Sequence, residues 1–190
     1  GDDYDLVGFI IGVVERDKII TGKEINLGDA IIGLASSGLH TNGYSLVRKI
    51  FGESRQALES YYPELGRTLG EELLEPHRCY YHQLKPLLGY IKGMAHITGG
   101  GLSGNLPRVM PRGMAAHLHA STWTIPPIFH LIQQRGNVEP KEMFRVFNMG
   151  IGMVLICSPA DVTPITQALP EAKLIGEVAR QVGRKRVVIN

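Results

Sequence analysis

Long apolar runs are missing from this sequence of 190 residues. The longest, LVGFIIGVV at residues 6–14, falls far short of the ~20 residues that a membrane-spanning helix needs. Cysteine is scarce as well. Cys79 and Cys157 stand far apart with no CxxC spacing, so neither a disulfide framework nor a thiolate metal site is indicated. Their apolar neighbours predict buried, inert thiols. Charge of one sign is not in excess: the net charge is +2, which argues against bulk nucleic-acid binding. The one basic cluster, GRKR at 183–186, reads as a solvated hairpin turn. No repeat and no low-complexity stretch occurs. The opening GDDYD is acidic where a signal peptide would be basic. A cytoplasmic protein with no membrane or nucleic-acid partner is expected.

Familiar catalytic signatures are absent too. There is no G-x-S-x-G elbow, and TGGGLSGN at 98–105 has neither the Lys-Ser/Thr pair of a P-loop nor the spacing of G-x-G-x-x-G. Histidines at metal-ligand spacing are equally lacking. His117 and His119 share a strand face but have no second pair to complete a site. His77 and His82 are spaced by five, which aligns them poorly on a helix, and His130 reads as packing. No metal ligand is assigned.

What is present is an ordinary globular composition, 44% hydrophobic and 20% charged, expected to form a single domain over 1–190. Apolar runs and alternation predict strands at 6–15, 30–35, 95–97, 115–119, 151–157, 174–179 and 186–189. A turn at 16–18 would fold the first strand into a hairpin. Helical spacing and cap signals predict helices at 44–51, 54–62, 68–74, 76–88, 102–110 (interrupted by Pro107), 127–135 and 141–147, and one from the Ser158-Pro159 cap to 169. Strands and helices alternate irregularly, so the expected class is α+β: a mixed β-sheet with helices packed on it in a three-layer arrangement.

Glycine is abundant, 23 residues, and much of it sits at two corners of one design. SSGLHTNGYSL (36–46) and HITGGGLSGN (96–105) each follow a predicted strand and open a predicted helix. Such a corner offers free backbone N–H groups at the positive end of a helix dipole, and glycine lets the backbone approach a ligand closely. Each could hold a phosphate-like anion, with Thr41, Asn42 and Thr98 adding polar bonds and His40 and His96 a charge or a proton. For either corner alone, an Asn42-Gly43 turn, an N-cap at Thr41 or Asn42 and a tight glycine bend are also sufficient explanations. FNMGIGM (147–153) places Asn148 and two glycines before an apolar strand, where a helix C-cap is the simpler reading.

DAIIGLASSGLHTNGYSLVRKIF, AHITGGGLSGNLPRVMP, STWTIPPIFHLIQQRGNV and EMFRVFNMGIGMVL, in this order, resemble the carboxy-terminal domain of aminoimidazole ribonucleotide synthetase, the phosphoribosylformylglycinamidine cyclo-ligase family. The likeness runs from YDLVGF to RVVI. It implies a purine-synthesis ligase that uses ATP and Mg2+: an amide oxygen of formylglycinamidine ribonucleotide is phosphorylated, and ring closure yields aminoimidazole ribonucleotide, ADP and phosphate. Position and charge stabilisation carry most of such a transfer. Carried over by motif, His40 and His96 would be the catalytic histidines, and Ser37, Gly38, Thr41, Asn42, Gly43, Thr98, Gly99, Gly100 and Gly101 would line the substrate side. Asn105 and Asn148 would be possible cleft residues. The family also carries a preceding domain that holds most of the ATP and metal apparatus and the homodimer interface. Its partnership is expected, and this chain alone is expected to be inactive. Where the family's pattern is PTRIY, this chain reads PHRCY, with His77 and Cys79 at the altered positions; neither is expected to touch the site. The alternatives are a non-catalytic module that binds a phosphorylated metabolite or a partner, and a related ATP-dependent small-molecule kinase.

Overall fold

The structure, a computed structural model, describes residues 8–190. Its strands are β1 (Ala30–Ala35), β2 (Tyr61–Tyr62), β3 (Arg67–Thr68), β4 (Ile91–His96), β5 (Met114–Leu118), β6 (Ile151–Cys157), β7 (Lys173–Arg180) and β8 (Val187–Ile189). Its α-helices are α1 (Tyr44–Phe51), α2 (Arg55–Glu59), α3 (Leu69–Leu73), α4 (Tyr81–Leu84), α5 (Gly101–Val109), α6 (Pro127–Gly136), α7 (Pro140–Val146) and α8 (Val162–Ala168). Six strands form one sheet in the order β4-β6-β1-β7-β5-β8, and β2 and β3 form a separate two-stranded ribbon. Every pairing in the large sheet is antiparallel except β5 with β8. The fold is α+β with a mixed sheet.

Burial explains why the central strands read as continuous apolar runs. β1 is buried at five of six positions and β6 at six of seven, because both faces of the sheet are covered. Ile31, Val154, Ile156, Ile175 and Val178 pack on one face with Leu102 and Leu106 of α5. On the other face Ile32, Leu34 and Leu155 pack with Tyr80, Leu84 of α4 and Ile165 of α8. β4 lies at the sheet edge and alternates instead. A third cluster joins α1, α6 and α7 through Val47, Phe129, Ile132, Met143 and Phe147. Each fully buried side chain of this size contributes about 1.5–3 kcal/mol.

Several expectations fail for physical reasons. Residues 6 and 7 lie outside the described residues, but 8–15 form no strand: Phe9, Ile10, Ile11 and Val13 are almost fully exposed. Among the described residues, nothing packs against these side chains. The expected hairpin is likewise absent, since Arg16–Lys18 is only a 3-10 turn. Pro76 does not start a helix; α4 begins at Tyr81 and continues as a 3-10 segment, Lys85–Tyr90. The helix at 54–62 stops at Glu59, and Tyr61–Tyr62 turns into the ribbon with Arg67–Thr68. Pro107 does not interrupt α5. Nor is GRKR a hairpin turn: β8 lies parallel to β5 rather than returning on β7. Arg186 is committed inward, donating to the carbonyls of Pro107, Met110, Pro111 and Met114. It thereby satisfies carbonyls at the α5 terminus that the helix leaves open.

Candidate functional site

Topology brings the two glycine corners together. β1 and β4 both run antiparallel to β6, one on each side, so they point the same way. Leu34 of β1 and His96 of β4 both face Met153 of β6, so the two strands end at one level. The loops at 36–43 and 97–100 therefore leave the sheet side by side, next to the 147–150 loop that leads into β6. Backbone bonds from Ser36 N to Gly150 O and from Ile97 N to Gly152 O, both 2.9 Å, close this end.

The first corner is held from a distance. Asn148 is fully buried and accepts from Ser36 Oγ (3.0 Å) and Gly150 N (2.8 Å), while its Nδ2 donates to Gly38 O (2.8 Å). His40 and Thr41 have φ of +52° and +62°, a left-handed conformation that is strained for most side chains and severely so for a β-branched threonine. Met149, at +50°, belongs to the same cluster. Three of the four non-glycine residues with positive φ among the described residues thus gather here, as strain tends to do at functional sites. Thr41 Oγ1 and Asn42 Nδ2 both donate to the His40 carbonyl (2.6 and 2.8 Å). They stabilise the bend and do not cap α1, whose N-cap is Gly43.

The second corner is held locally. Gly100 and Gly101 carry φ of +97° and +58°, and a Cβ on Gly101 would strike the Phe144 and Phe147 carbonyls. Asn105 reaches back one turn, donating to Gly101 O (2.8 Å) and accepting from Thr98 Oγ1 (3.1 Å). Gly38 and Gly101 are buried behind the loops, whereas Thr41 and Gly99 are exposed and Ser37, Asn42, Gly43, Thr98 and Gly100 are partly so. The two asparagines are scaffolding, with their polar atoms spent on the loops. Gly99 and Asn42 approach one another, which joins the corners into one surface.

The histidines converge. His40 is buried, and its Nε2 lies 2.9 Å from both Ser37 N and Ser37 Oγ. Its Nδ1 has no partner. Burial, with repulsion from His77, His96 and Arg78, pushes its pKa down to about 4, so the ring is neutral at neutral pH. His77 stacks on it at 4.0 Å between centroids and stands 3.0 Å, Nε2 to Nε2, from His96. Burial and His96 also lower the His77 pKa. The expectation that the PHRCY change touches no site residue is therefore wrong: His77 contacts both catalytic candidates. Spacing along the chain could not reveal this, because residues 40, 77 and 96 meet only through tertiary structure. The altered residue at 77 was the available signal. Cys79 is exposed, contrary to expectation, although Tyr80 beside it is buried; Cys157 is buried.

Beside the histidines lies a hollow of about 470 Å3 lined by His77, Arg78, Tyr80, Met94, His96 and Met153, among others. A larger one, about 810 Å3, lies near Lys141 and Arg184–Asn190. It contains none of the candidate residues, and the chemistry points to the former. His117, His119 and His130 are not part of the cluster.

A six-stranded mixed sheet with helices on both faces and loops gathered at one end is an architecture found in several solved enzymes. Thiamine-monophosphate kinase from Stenotrophomonas maltophilia K279a superposes with a TM-score of 0.62 at 16% identity, over 93% of this chain and 54% of that one. T. maritima PurL complexed with FGAR superposes at 0.51 and 16% identity, over 89% and 27%. Those likenesses define the fold. The family model for AIR synthase related protein, C-terminal domain, matches residues 26–189, and the chain belongs to that family. It is 53% identical over 180 residues to the phosphoribosylformylglycinamidine cyclo-ligase of Caldicellulosiruptor bescii, covering 91% of this chain and 52% of the relative. To the cyclo-ligase of Geobacillus thermodenitrificans it is 49% identical over 189 residues, covering 96% and 55%. The chain thus spans about half the length of the curated relatives it matches. No helix among the described residues is long and apolar enough to cross a membrane.

Proposed function

We propose that this chain supplies the ribonucleotide-binding wall of an ATP-dependent ring closure in purine biosynthesis, converting formylglycinamidine ribonucleotide to aminoimidazole ribonucleotide. The observation that carries this reading is the meeting of two helix-opening corners with His40 and His96 at one end of the sheet. The names of the cyclo-ligase relatives, and the FGAR complex of the T. maritima neighbour, supply the substrate class. The first turns of α1 and α5 have N–H groups without intrahelical acceptors, and these would hold the phosphoribosyl end of the substrate. His40, buried and neutral, is a poor acid; it would orient Ser37 and the loop. His96, exposed on the hollow, would be the residue that meets substrate.

Mg2+ does not fit the three loops. It needs oxygen ligands, usually carboxylates, and 36–43, 97–101 and 147–150 contain no aspartate or glutamate. ATP and its metal are assigned to a further domain, which also agrees with the chain's half-length match. The exposed apolar residues Phe9, Ile10, Ile11 and Val13 are the surface on which such a domain, or a second copy in a homodimer, would pack. The enzyme would act where its substrates are, in the cytoplasm.

Calorimetric titration of the chain with formylglycinamidine ribonucleotide and, separately, with ATP tests the assignment. Ribonucleotide binding that His96→Asn weakens, with no tight ATP binding, is expected. Tight ATP binding without ribonucleotide binding would refute it.

A further inference from the structure

His40 follows β1, His77 precedes α4 and His96 ends β4, yet one ring nitrogen of each lies within 4.8 Å of the others. No carboxylate is paired with any of the three among the described residues. We propose that His40, His77 and His96 form a binding site for one borderline-soft divalent transition-metal ion, of which Zn2+ is the best match. The site rests on this chain's own side chains and not on the ring-closure reading.

Ligand type and spacing both favour it. Nitrogen ligands 2.0–2.1 Å from a tetrahedral zinc stand about 3.3 Å apart. His77 Nε2 and His96 Nε2 are at 3.0 Å, so slight opening of two exposed side chains would admit the ion between them. The proton now shared there would move to the distal nitrogen of its ring. His77 would also turn from its stacked position on His40, and its exposure leaves room for that. All three donors are imidazoles, which suit zinc, copper or nickel and disfavour Mg2+ and Ca2+.

His40 provides a second, independent observation. It is 4% exposed, and its Nδ1 has no hydrogen-bond partner, an expensive arrangement for a buried polar atom. Its other nitrogen, Nε2, accepts from Ser37 N–H at 2.9 Å and lies 2.9 Å from Ser37 Oγ, a hydroxyl that donates to Pro76 O at 2.7 Å. The neutral ring therefore carries its proton on Nδ1, with no acceptor for it. Ion binding through Nδ1 would move that proton to Nε2, which would then donate to Ser37 Oγ in place of accepting from Ser37 N, and leave the Nδ1 lone pair to the ion. Metal-bound histidines commonly have such an outer partner fixing the tautomer. Three histidines around an ion leave a fourth position open to water, facing the hollow beside His77 and His96.

The test is a titration of the full chain, free of any affinity tag, with Zn2+ by calorimetry and with Co2+ by visible absorption. A Cys79→Ser background keeps the exposed thiol from contributing. The expected result is one ion per chain, with the strong visible bands of tetrahedral cobalt displaced by zinc. His77→Thr and His96→Asn alter exposed residues and should preserve the fold; each should weaken binding at least about tenfold. His117→Asn, on β5, should leave it unchanged. Binding no stronger than that of ordinary surface histidines, or an affinity that neither His77→Thr nor His96→Asn alters, would overturn the proposal.

Discussion

The two corners reach similar positions by different means. At 97–101 the chain bends on glycines, and Asn105 fastens the bend from within the same helix. At 36–43 the bend passes through His40 and Thr41 in a left-handed conformation, and the fastener, Asn148, is more than a hundred residues away in sequence. The glycine corner needs little from the rest of the molecule. The strained corner exists only because other loops hold it, and it holds the buried histidine. Strain at a site persists where surrounding structure over-determines it, and Asn148, Gly150 and Trp123 do so here: the Trp123 Nε1–H donates to the Met149 carbonyl at 3.0 Å.

The contrast can be broken by experiment. Asn148→Ala should have the largest effect, about 4 kcal/mol of destabilisation in urea unfolding, because it strands buried partners in two loops. A loss below about 1 kcal/mol would show that the strained corner holds itself. Acid comes next. In metal-free protein with a chelator present, the unfolded state takes up a proton on His40 below about pH 6.5, while the folded ring resists until about 4. Stability should therefore fall as pH drops through that window, by about 3 kcal/mol in total, with a smaller contribution of the same sign from His77. His40→Gln should flatten most of this slope, and an equal slope in that variant would contradict a buried neutral ring.

Asn105→Ala should cost about 2 kcal/mol, since its fastening is local and its loop is already shaped by glycine. If it costs as much as Asn148→Ala, the distinction between local and distant fastening fails. The smallest effect should be a gain. Thr41→Gly relieves a β-branched residue at φ +62° but adds flexibility to the unfolded chain, for a net stabilisation of about 1 kcal/mol by thermal melting. Destabilisation instead would mean that the Thr41 Oγ1 bond to the His40 carbonyl outweighs the strain.

Legibility followed the same divide. TGGG could be read as a close-approach corner because glycine announces its backbone freedom locally. β1, β6 and α1 matched their expected bounds because continuous apolar runs and helical spacing are local signals. The 8–15 segment misled for the converse reason: its composition is that of a buried strand, but burial depends on a partner surface that the described residues do not provide. Cys79 and the Pro76 helix failed similarly, as apolar neighbours and a proline start say nothing of where the segment packs. His77 was visible only as a departure from a family string.

Residue chemistry and short-range pattern were enough to determine the fold class, the central strands and the two glycine corners, since backbone preference and apolar periodicity act over a few positions; the family came from the resemblance of whole strings in their order. Tertiary structure decided that β1 and β4 flank β6 and point the same way, that Asn148 clamps a loop far from it in sequence, and that three histidines share one small volume. Those facts depend on which strands pair, and pairing is settled by burial of both sheet faces across the whole domain.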